Sequence, residues 1–573
     1  MLKRIVFFGV FAFCAACGGG SSGKDGVSVL VDVVDEPPGE NCITGGKKII
    51  TGQDFNHNQR LEANEIVSVS YVCNGEAPSG TGPVVQITEI PQGDERCLDG
   101  GVLIKIAHDN DGNGEIIEDE VHQETVVCHN PNNKPAQHDN IVLFPEATSL
   151  IDLKVNTLGH ELPESKADGK IETIMTFTVD GITLNAYGTL SVQGNSTAAH
   201  PKKNWKLRFY ADKKRKKKLL IKVGDSVASN KWNFKAEWVD PTLLRNAVSY
   251  TLWESMVESR SSLPKYEVDN AWWPESGTVH ESGSFYEQTG ARGFPYVFPM
   301  QISMDGQFYG LGMLMTGHEP KNFNMDKTNS NHMYLEFEGN FGTTDKSWSG
   351  FSEDNFARII LRAPSVWEVE HEEALTRLGD FFKKSDDDFK KEFEEHLDKN
   401  NIIDMLLFME AIYDWDSIHR DNEFVTYDLK KWYILPWDKD GTFGSTSDVP
   451  GVGESLEGAS DYALDRLFNY EDSKENELLW VKTYHAFKED VETRYARLRK
   501  QSVFSAENIF NIAKRFNTVI PRDVREAEYE KWKDELGGER AWGYGLTSTT
   551  QLVDWFERRL VMLDEHFGYE SEP

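Results

Sequence analysis

Apolar and polar residues alternate with a period of two through much of residues 150–210. Runs at 151–155, 173–179, 182–192 and 205–210 therefore read as strands. Residues 297–315 (VFPMQISMDGQFYGLGMLM) read as a hairpin that turns at Asp305 and Gly306. Beyond about residue 365 the period changes to that of amphipathic helices, at 367–384, 387–397, 402–415, 478–499, 506–516, 522–536 and 548–567. One hairpin, at 423–434, interrupts this helical half. A strand-rich first half feeding a helical second half predicts an α+β domain over residues 140–570. The polar, proline-containing stretch 129–138 is the linker before it.

Ahead of that linker the pattern repeats. Cys42-x2-Gly45-Gly46 is matched by Cys97-x2-Gly100-Gly101. Asp54 and Asp109 each lie 12 residues after the leading Cys, Glu65 and Glu120 each 23 after it, and Cys73 and Cys128 each 31 after it. Four shared offsets indicate an internal duplication, over 40–78 and 94–132. Inside each unit, oxygen-bearing side chains recur at alternate positions and end in a Glu at position 12, as a hard cation such as Ca²⁺ requires. The ligand sets are Asp54, Asn56, Asn58 and Glu65 in the first loop, and Asp109, Asp111, Asn113 and Glu120 in the second. The first loop has Gln59 where the second has Gly114, and it is the weaker binder. The flank at 67–72 alternates like a strand, so these are not helix–loop–helix hands. They resemble small Cys-bracketed repeats of bacterial surface lipoproteins, which implies bridges Cys42–Cys73 and Cys97–Cys128.

The amino terminus fits that setting. Lys3 and Arg4 precede a short apolar run at 5–13, too short to span a bilayer, and Cys14-Ala15-Ala16-Cys17 resembles a bacterial lipobox. The expectation is a signal peptide over 1–16, a lipidated Cys17 and a flexible tether to residue 39. The protein is then exported and held on the bacterial envelope, at the outer membrane or cell surface, by its lipid alone. A net charge of −33 argues against nucleic acid as a partner.

Chemistry concentrates in residues 414–444 (DWDSIHRDNEFVTYDLKKWYILPWDKDGTFG). Acids cluster at Asp414, Asp416 and Asn422, and again at Asp438 and Asp440, on either side of the predicted hairpin. Folding the hairpin back would join them into a site for divalent metal and phosphate. A turn at Gly194-Asn195-Ser196-Thr197, followed by Lys202 and Lys203, could cover phosphates with backbone N–H groups and supply a cation. The run KKRKKK at 213–218 reads as a solvated hairpin tip.

GNST-x3-PKKNWKLRF, DPTLLRNAVSYTLW, DGQFYGLGML, DWDSIHRDN and LPWDKDGTFG occur in the order found in the spore coat protein H (CotH) kinase-like family, which the chain resembles over about 145–565. The resemblance implies an atypical protein-kinase-like two-lobed domain, with a strand-rich N-lobe and a helical C-lobe. It also implies ATP with Mg²⁺ or Mn²⁺ as cofactors, and transfer of the γ-phosphate to Ser or Thr of an envelope protein. Carried over, Lys203 contacts the ATP phosphates with Lys202, Asn195 and Ser196 beside it. Asp416 orients the acceptor hydroxyl, and Asn422, Asp438 and Asp440 hold metal. His419-Arg420-Asp421 spells a motif of ordinary kinases, but the metal-binding Asn that should follow five residues later is Thr426. Asp416 is therefore preferred over Asp421. Glu254, on the helix with Arg245 and Asn246, is a candidate partner for the lysine. The rival expectation, from another class, is a catalytically weak structural or adhesive surface module that binds protein or glycan.

Overall fold

The computed structural model describes residues 28–570 apart from 40, 43–44, 55–59, 63–64, 74–82, 109–119, 129–133, 195, 239, 241, 261–290, 292, 324, 338–358, 415–416, 418–421, 445–477 and 536–548. The expected signal peptide and Cys17 lie outside them. The chain divides into two compact units, one of residues 1–92 and 99–133, the other of 93–98 and 134–573.

The first unit holds two three-stranded antiparallel sheets. One is β1 (Ser28–Glu36), β2 (Gly46–Asp54) and β3 (Ile66–Cys73); the other is β4 (Pro83–Ile90), β5 (Gly101–His108) and β6 (Val121–Cys128). The duplication reaches down to single hydrogen-bond registers. Gly46 faces Cys73 as Gly101 faces Cys128, and each hairpin slips register at the same place, Thr51/Gly52 in one and Ile106/Ala107 in the other. Each sheet also recruits a strand that precedes its leading Cys. Ile49 from one sheet and Val102, Ile104 and Ile106 from the other share one apolar cluster, so neither repeat buries its face alone. Cys42, Cys97 and Cys128 are each disulfide-bonded. Glu65 and Glu120, the last residues of the two predicted calcium loops, are both buried. Asn56, Asn58, Asp109, Asp111 and Asn113 lie outside the described residues, as do the side chains of Asp54 and Cys73.

In the second unit, β7 (Ala136–His138), β8 (Ile141–Phe144) and β13 (Leu220–Val223) form a small sheet. β9 (Ile151–Asn156), β10 (Lys170–Val179), β11 (Ile182–Gln193), β12 (Asn204–Tyr210), β14 (Lys231–Lys235), β15 (Val297–Met304) and β16 (Gln307–Thr316) close into a barrel, in the order β10-β11-β12-β14-β16-β15-β9. The β15–β16 hairpin turns where the sequence places it: Asp305 and Gly306 both have positive φ, as a two-residue turn with right-handed strand twist demands. The basic run at 213–218 is not simply solvated. The Arg215 side chain is 5 % exposed, donating to the carbonyls of Thr173 and Gly188 and pairing with Glu172 at 2.8 Å.

A helix, α1 (Arg245–Glu258), packs on the barrel strand β15. A second sheet, in the order β18-β17-β19-β20, joins β17 (Met333–Phe337) and β18 (Ile359–Ala363) to the hairpin β19 (Asn422–Thr426) and β20 (Trp432–Leu435). Around it stand α2 (Val369–Phe382), α3 (Asp386–His396), α4 (Lys399–Ile412), α5 (Leu478–Ala486), α6 (Lys488–Lys500), α7 (Ala506–Thr518), α8 (Arg522–Trp532) and α9 (Thr549–Phe567). Side-chain caps start several of them: Ser385, Asp398 and Ser505 each accept a backbone N–H three residues ahead. The acids Asp386, Asp387 and Asp388 sit in the first turn of α3, where the helix dipole favours them. α4 is buried on nearly all sides and carries Asp404, which pairs with Arg260 after α1 and with Arg494 on α6. No helix among the described residues is long and apolar enough to cross a membrane.

Candidate functional site

The two acidic clusters come together through a lysine. α4 stops at Tyr413, whose left-handed φ of 53° turns the chain out of the helix and into Asp414. The β19–β20 hairpin then returns the chain to Trp437. There the buried Lys439 Nζ lies 2.6 Å from Asp414 Oδ2 and 2.5 Å from Ser417 Oγ, which locks the two ends of the hairpin together. Asp438 itself has φ of 52°, rare for a residue with a side chain, and such backbone conformations collect at functional sites. Neighbours hold it there. Its N–H donates to Tyr250 Oη at 3.0 Å, and the next N–H, of Lys439, donates to Asn246 Oδ1 at 2.8 Å.

Asp438 faces Lys235, the last residue of β14, with Nζ to Oδ1 at 2.7 Å. The lysine side chain is 3 % exposed and the aspartate 32 %, so the pair opens to solvent on its carboxylate side. Burial alone would depress the Lys235 ammonium, but the charges of Asp438 and Asp440 outweigh it and the net shift is upward. Burial would raise the Asp438 carboxyl, yet Lys235 and then Lys439 hold it below its usual range. Among the described residues Lys235 makes this one hydrogen bond, so two of its three N–H groups remain for a ligand. Gly312 on the neighbouring β16 permits the arrangement. A Cβ there would come within 2.2 Å of the Lys235 carbonyl oxygen.

α1 and the segment before it brace the same spot. Asn246 Nδ2 donates to both oxygens of the buried Glu237, while its Oδ1 takes the Lys439 N–H. Glu237 is pushed well above the normal carboxyl range, first by burial and then by Asp440 and Asp240. Arg245 pairs with the equally buried Asp240, and its Nε reaches the Thr442 carbonyl at 2.8 Å. Arg245 and Asn246 are thus the brace that fixes the Asp438 loop.

The turn after β16 brings His318 over the second sheet. Its ring lies 3.5 Å, centroid to centroid, from Trp437. Its Nδ1 is 3.3 Å from Glu336 Oε2 and 3.2 Å from Glu423 Oε1. Burial pushes the imidazole down to about 3, so it is neutral at pH 7, and pushes Glu423 up to about 8. Arg362 pairs with Glu336.

The lysines singled out from sequence sit elsewhere. Lys202 is buried and spends all three N–H groups internally, on the Ala236 and Leu311 carbonyls and on Glu528 of α8 at 2.5 Å. It has no donor left for phosphate, and this corrects its assignment as a cofactor contact. Lys203 Nζ donates to the Ala198 carbonyl at 2.9 Å, within the Gly-Asn-Ser-Thr turn. The cation that touches Asp438 is Lys235, and neither Lys202, Lys203 nor Lys235 pairs with Glu254. Asn195, Asp416 and Asp421 lie outside the described residues. Ser196 opens the short helical turn Ser196–Ala199 and Asn422 opens β19, both without a described side chain. Sequence reasoning misses Lys235 and Glu237; their one signal is the alternation with Asn233 in WNFKAEW, which places three polar residues on one side of an extended segment. His318, Glu336 and Glu423 share no motif.

Comparison with known families follows this geometry. The family model of the CotH kinase protein matches residues 190–563, which run from the end of β11 through β12, β14, β15 and β16, the second sheet and the helices to most of α9. A domain of unknown function, DUF7151, matches residues 29–73, the span of β1 to β3. No curated protein matches the chain. By the extent of the first match, the chain belongs to the CotH kinase protein family.

Proposed function

We propose that the second unit is an ATP-dependent kinase domain that phosphorylates Ser or Thr side chains of envelope proteins, on an exported, lipid-anchored chain. The observation that carries this reading is the Lys235–Asp438 pair: a buried ammonium with unused N–H groups beside a half-open carboxylate, in the LPWDKDG segment of a CotH kinase family member. Phosphoryl transfer asks a protein for positioning and for charge on the phosphates more than for covalent chemistry. The barrel and the second sheet then take the places of the N-lobe and C-lobe.

The residues present fit a divalent ion. Asp438 Oδ1 is held by Lys235, and its Oδ2 accepts no hydrogen bond among the described residues. Asp440 lies close enough to shift both Lys235 and Glu237. Asp438, Asp440 and Asn422 would hold Mg²⁺ or Mn²⁺, which neutralises charge on the β- and γ-phosphates when bound. Lys235 donates to a phosphate oxygen with its spare N–H groups. Lys439, sealed against Asp414, keeps the loop in register and does not meet substrate. Asp416 is the residue we assign to orient the acceptor hydroxyl. The repeats would bind Ca²⁺, and in sequence they come after the proposed lipid anchor and before the kinase domain.

The test is autophosphorylation and nucleotide binding of the full chain with Mg²⁺ or Mn²⁺, in wild type and in Lys235→Met, Asp438→Asn and Lys203→Ala. The reading expects loss in the first two and retention in the third. Equal signal in wild type, Lys235→Met and Asp438→Asn would discard it and favour a non-catalytic surface module.

A further inference from the structure

Glu336 and Glu423 stand directly opposite each other on the antiparallel strands β17 and β19. Two carboxylates in that position repel unless a cation lies between or beside them. Arg362 serves Glu336 from the β18 side. Glu423 is fully buried, and among the described residues no Lys or Arg forms an ion pair with it; the Tyr334 hydroxyl and His318 are the polar groups that face it. A fully buried carboxyl group with no cationic side chain paired to it is costly and calls for an explanation.

The third group is His318. Its Nδ1 lies 3.2 Å from one carboxylate and 3.3 Å from the other, with Tyr334 Oη at 3.4 Å. A single N–H can satisfy at most one of these acceptors. The spacing does suit a shared ion: ligand atoms about 2.0–2.2 Å from one tetrahedral ion lie roughly 3.3–3.6 Å from each other. One nitrogen or oxygen atom from each of His318, Glu336 and Glu423 falls within 4.8 Å of the others. Imidazole with two carboxylates is a ligand set of zinc-class ions, with a fourth position left for water.

We infer that His318, Glu336 and Glu423 form a binding site for a divalent transition ion of the zinc class, separate from the ligands assigned to the nucleotide's metal. Its ligands come from the turn after β16 and from β17 and β19, so the ion ties a barrel strand to the second sheet. The His318 ring packs on Trp437, the residue before Asp438, and the ion therefore sets the position of the loop that carries Asp438. Arg362 holds Glu336 in place as a positioning residue. The inference stands independently of phosphoryl transfer, because a chain that transfers no phosphate can still hold this ion.

The experiment is zinc binding to the full, disulfide-intact chain after chelator treatment, followed by calorimetry and by thermal unfolding with and without Zn²⁺. Wild type should take up zinc and gain thermal stability. His318→Gln and Glu423→Gln should each lose one equivalent or bind at least tenfold more weakly, and Asp438→Asn should retain the equivalent. Because those two variants can fail to fold, Co²⁺ is also added to the wild type. Visible bands of a four- or five-coordinate ion support the site, and a spectrum matching the hexa-aquo ion overturns it. No zinc uptake by wild type, or unchanged stoichiometry and affinity in both variants, equally overturns it.

Discussion

Lys202 and Lys235 belong to the same barrel region, both are buried, and both end on a carboxylate, yet they do opposite work. Lys202 pairs with Glu528, the two side chains 1 % and 5 % exposed, and its remaining N–H groups go to two backbone carbonyls. Lys235 pairs with Asp438, which is 32 % exposed, and keeps N–H groups in reserve. The first pair is a strut, complete in itself. The second has one partner open to solvent and so can exchange that partner's company for a ligand's. What separates a strut from a site is therefore the number of unsatisfied donors and the exposure of the carboxylate, not the residue types.

Breaking the strut should give the largest effect. Glu528→Ala leaves a buried ammonium unpaired and should cost about 3–5 kcal/mol in urea unfolding, while Lys202→Met combined with Glu528→Leu should restore most of it. The matching lesion in the site, Lys235→Met, should lower metal-dependent phosphorylation by about 10²–10³-fold, the scale seen when one preorganised donor is lost, with a smaller change in melting temperature than Glu528→Ala. If Lys235→Met destabilises as much as Glu528→Ala and leaves nucleotide binding intact, the contrast between the two lysines fails. Gly312→Ala tests the fit between β16 and β14: overpacking against the Lys235 carbonyl should cost about 1–3 kcal/mol and weaken nucleotide binding together.

The smallest expected effect is one of pH. Asp404 is a fully enclosed carboxylate; burial would raise it, but Arg260 and Arg494 hold it below the usual range. Its native form thus binds fewer protons than the unfolded chain. The stabilisation is present above the unfolded carboxyl's pKa and is lost as pH falls through the folded one. Wild type should therefore lose part of its stability advantage over Asp404→Asn between about pH 5 and pH 3, read from urea midpoints. An advantage that stays constant over that range would contradict the assignment.

Much of the fold can be read from periodicity. The β15–β16 turn, the lone hairpin in the helical half and most helices fall where the pattern puts them, because local turn chemistry and amphipathic spacing decide them. The run at 478–499 divides into α5 and α6, since Phe487 leaves helical geometry between them. β17 and β18 escape such a reading; they are short, and their pairing with β19 joins residues far apart in sequence. The candidate site follows the same division. Its acids announce themselves as a cluster, and Asp438 of that cluster meets the buried Lys235. Its cation does not, because the eye goes to the doubled Lys202-Lys203, while burial and donor bookkeeping, which select Lys235, exist only after folding. His318, Glu336 and Glu423 are invisible for a further reason: three strands or turns, each unremarkable alone, supply one ligand apiece.

The Lys202–Glu528 contact spans 326 residues. A ribosome delivers the amino-terminal partner long before the other, and until α8 emerges the barrel contains an ammonium that it cannot seal. Completion of the barrel therefore waits on the synthesis of α8, and a fragment stopped short of residue 528 should not reach a finished barrel. The timing makes α8 a checkpoint: strands that flank the proposed nucleotide site settle only in a chain that has been made through α8.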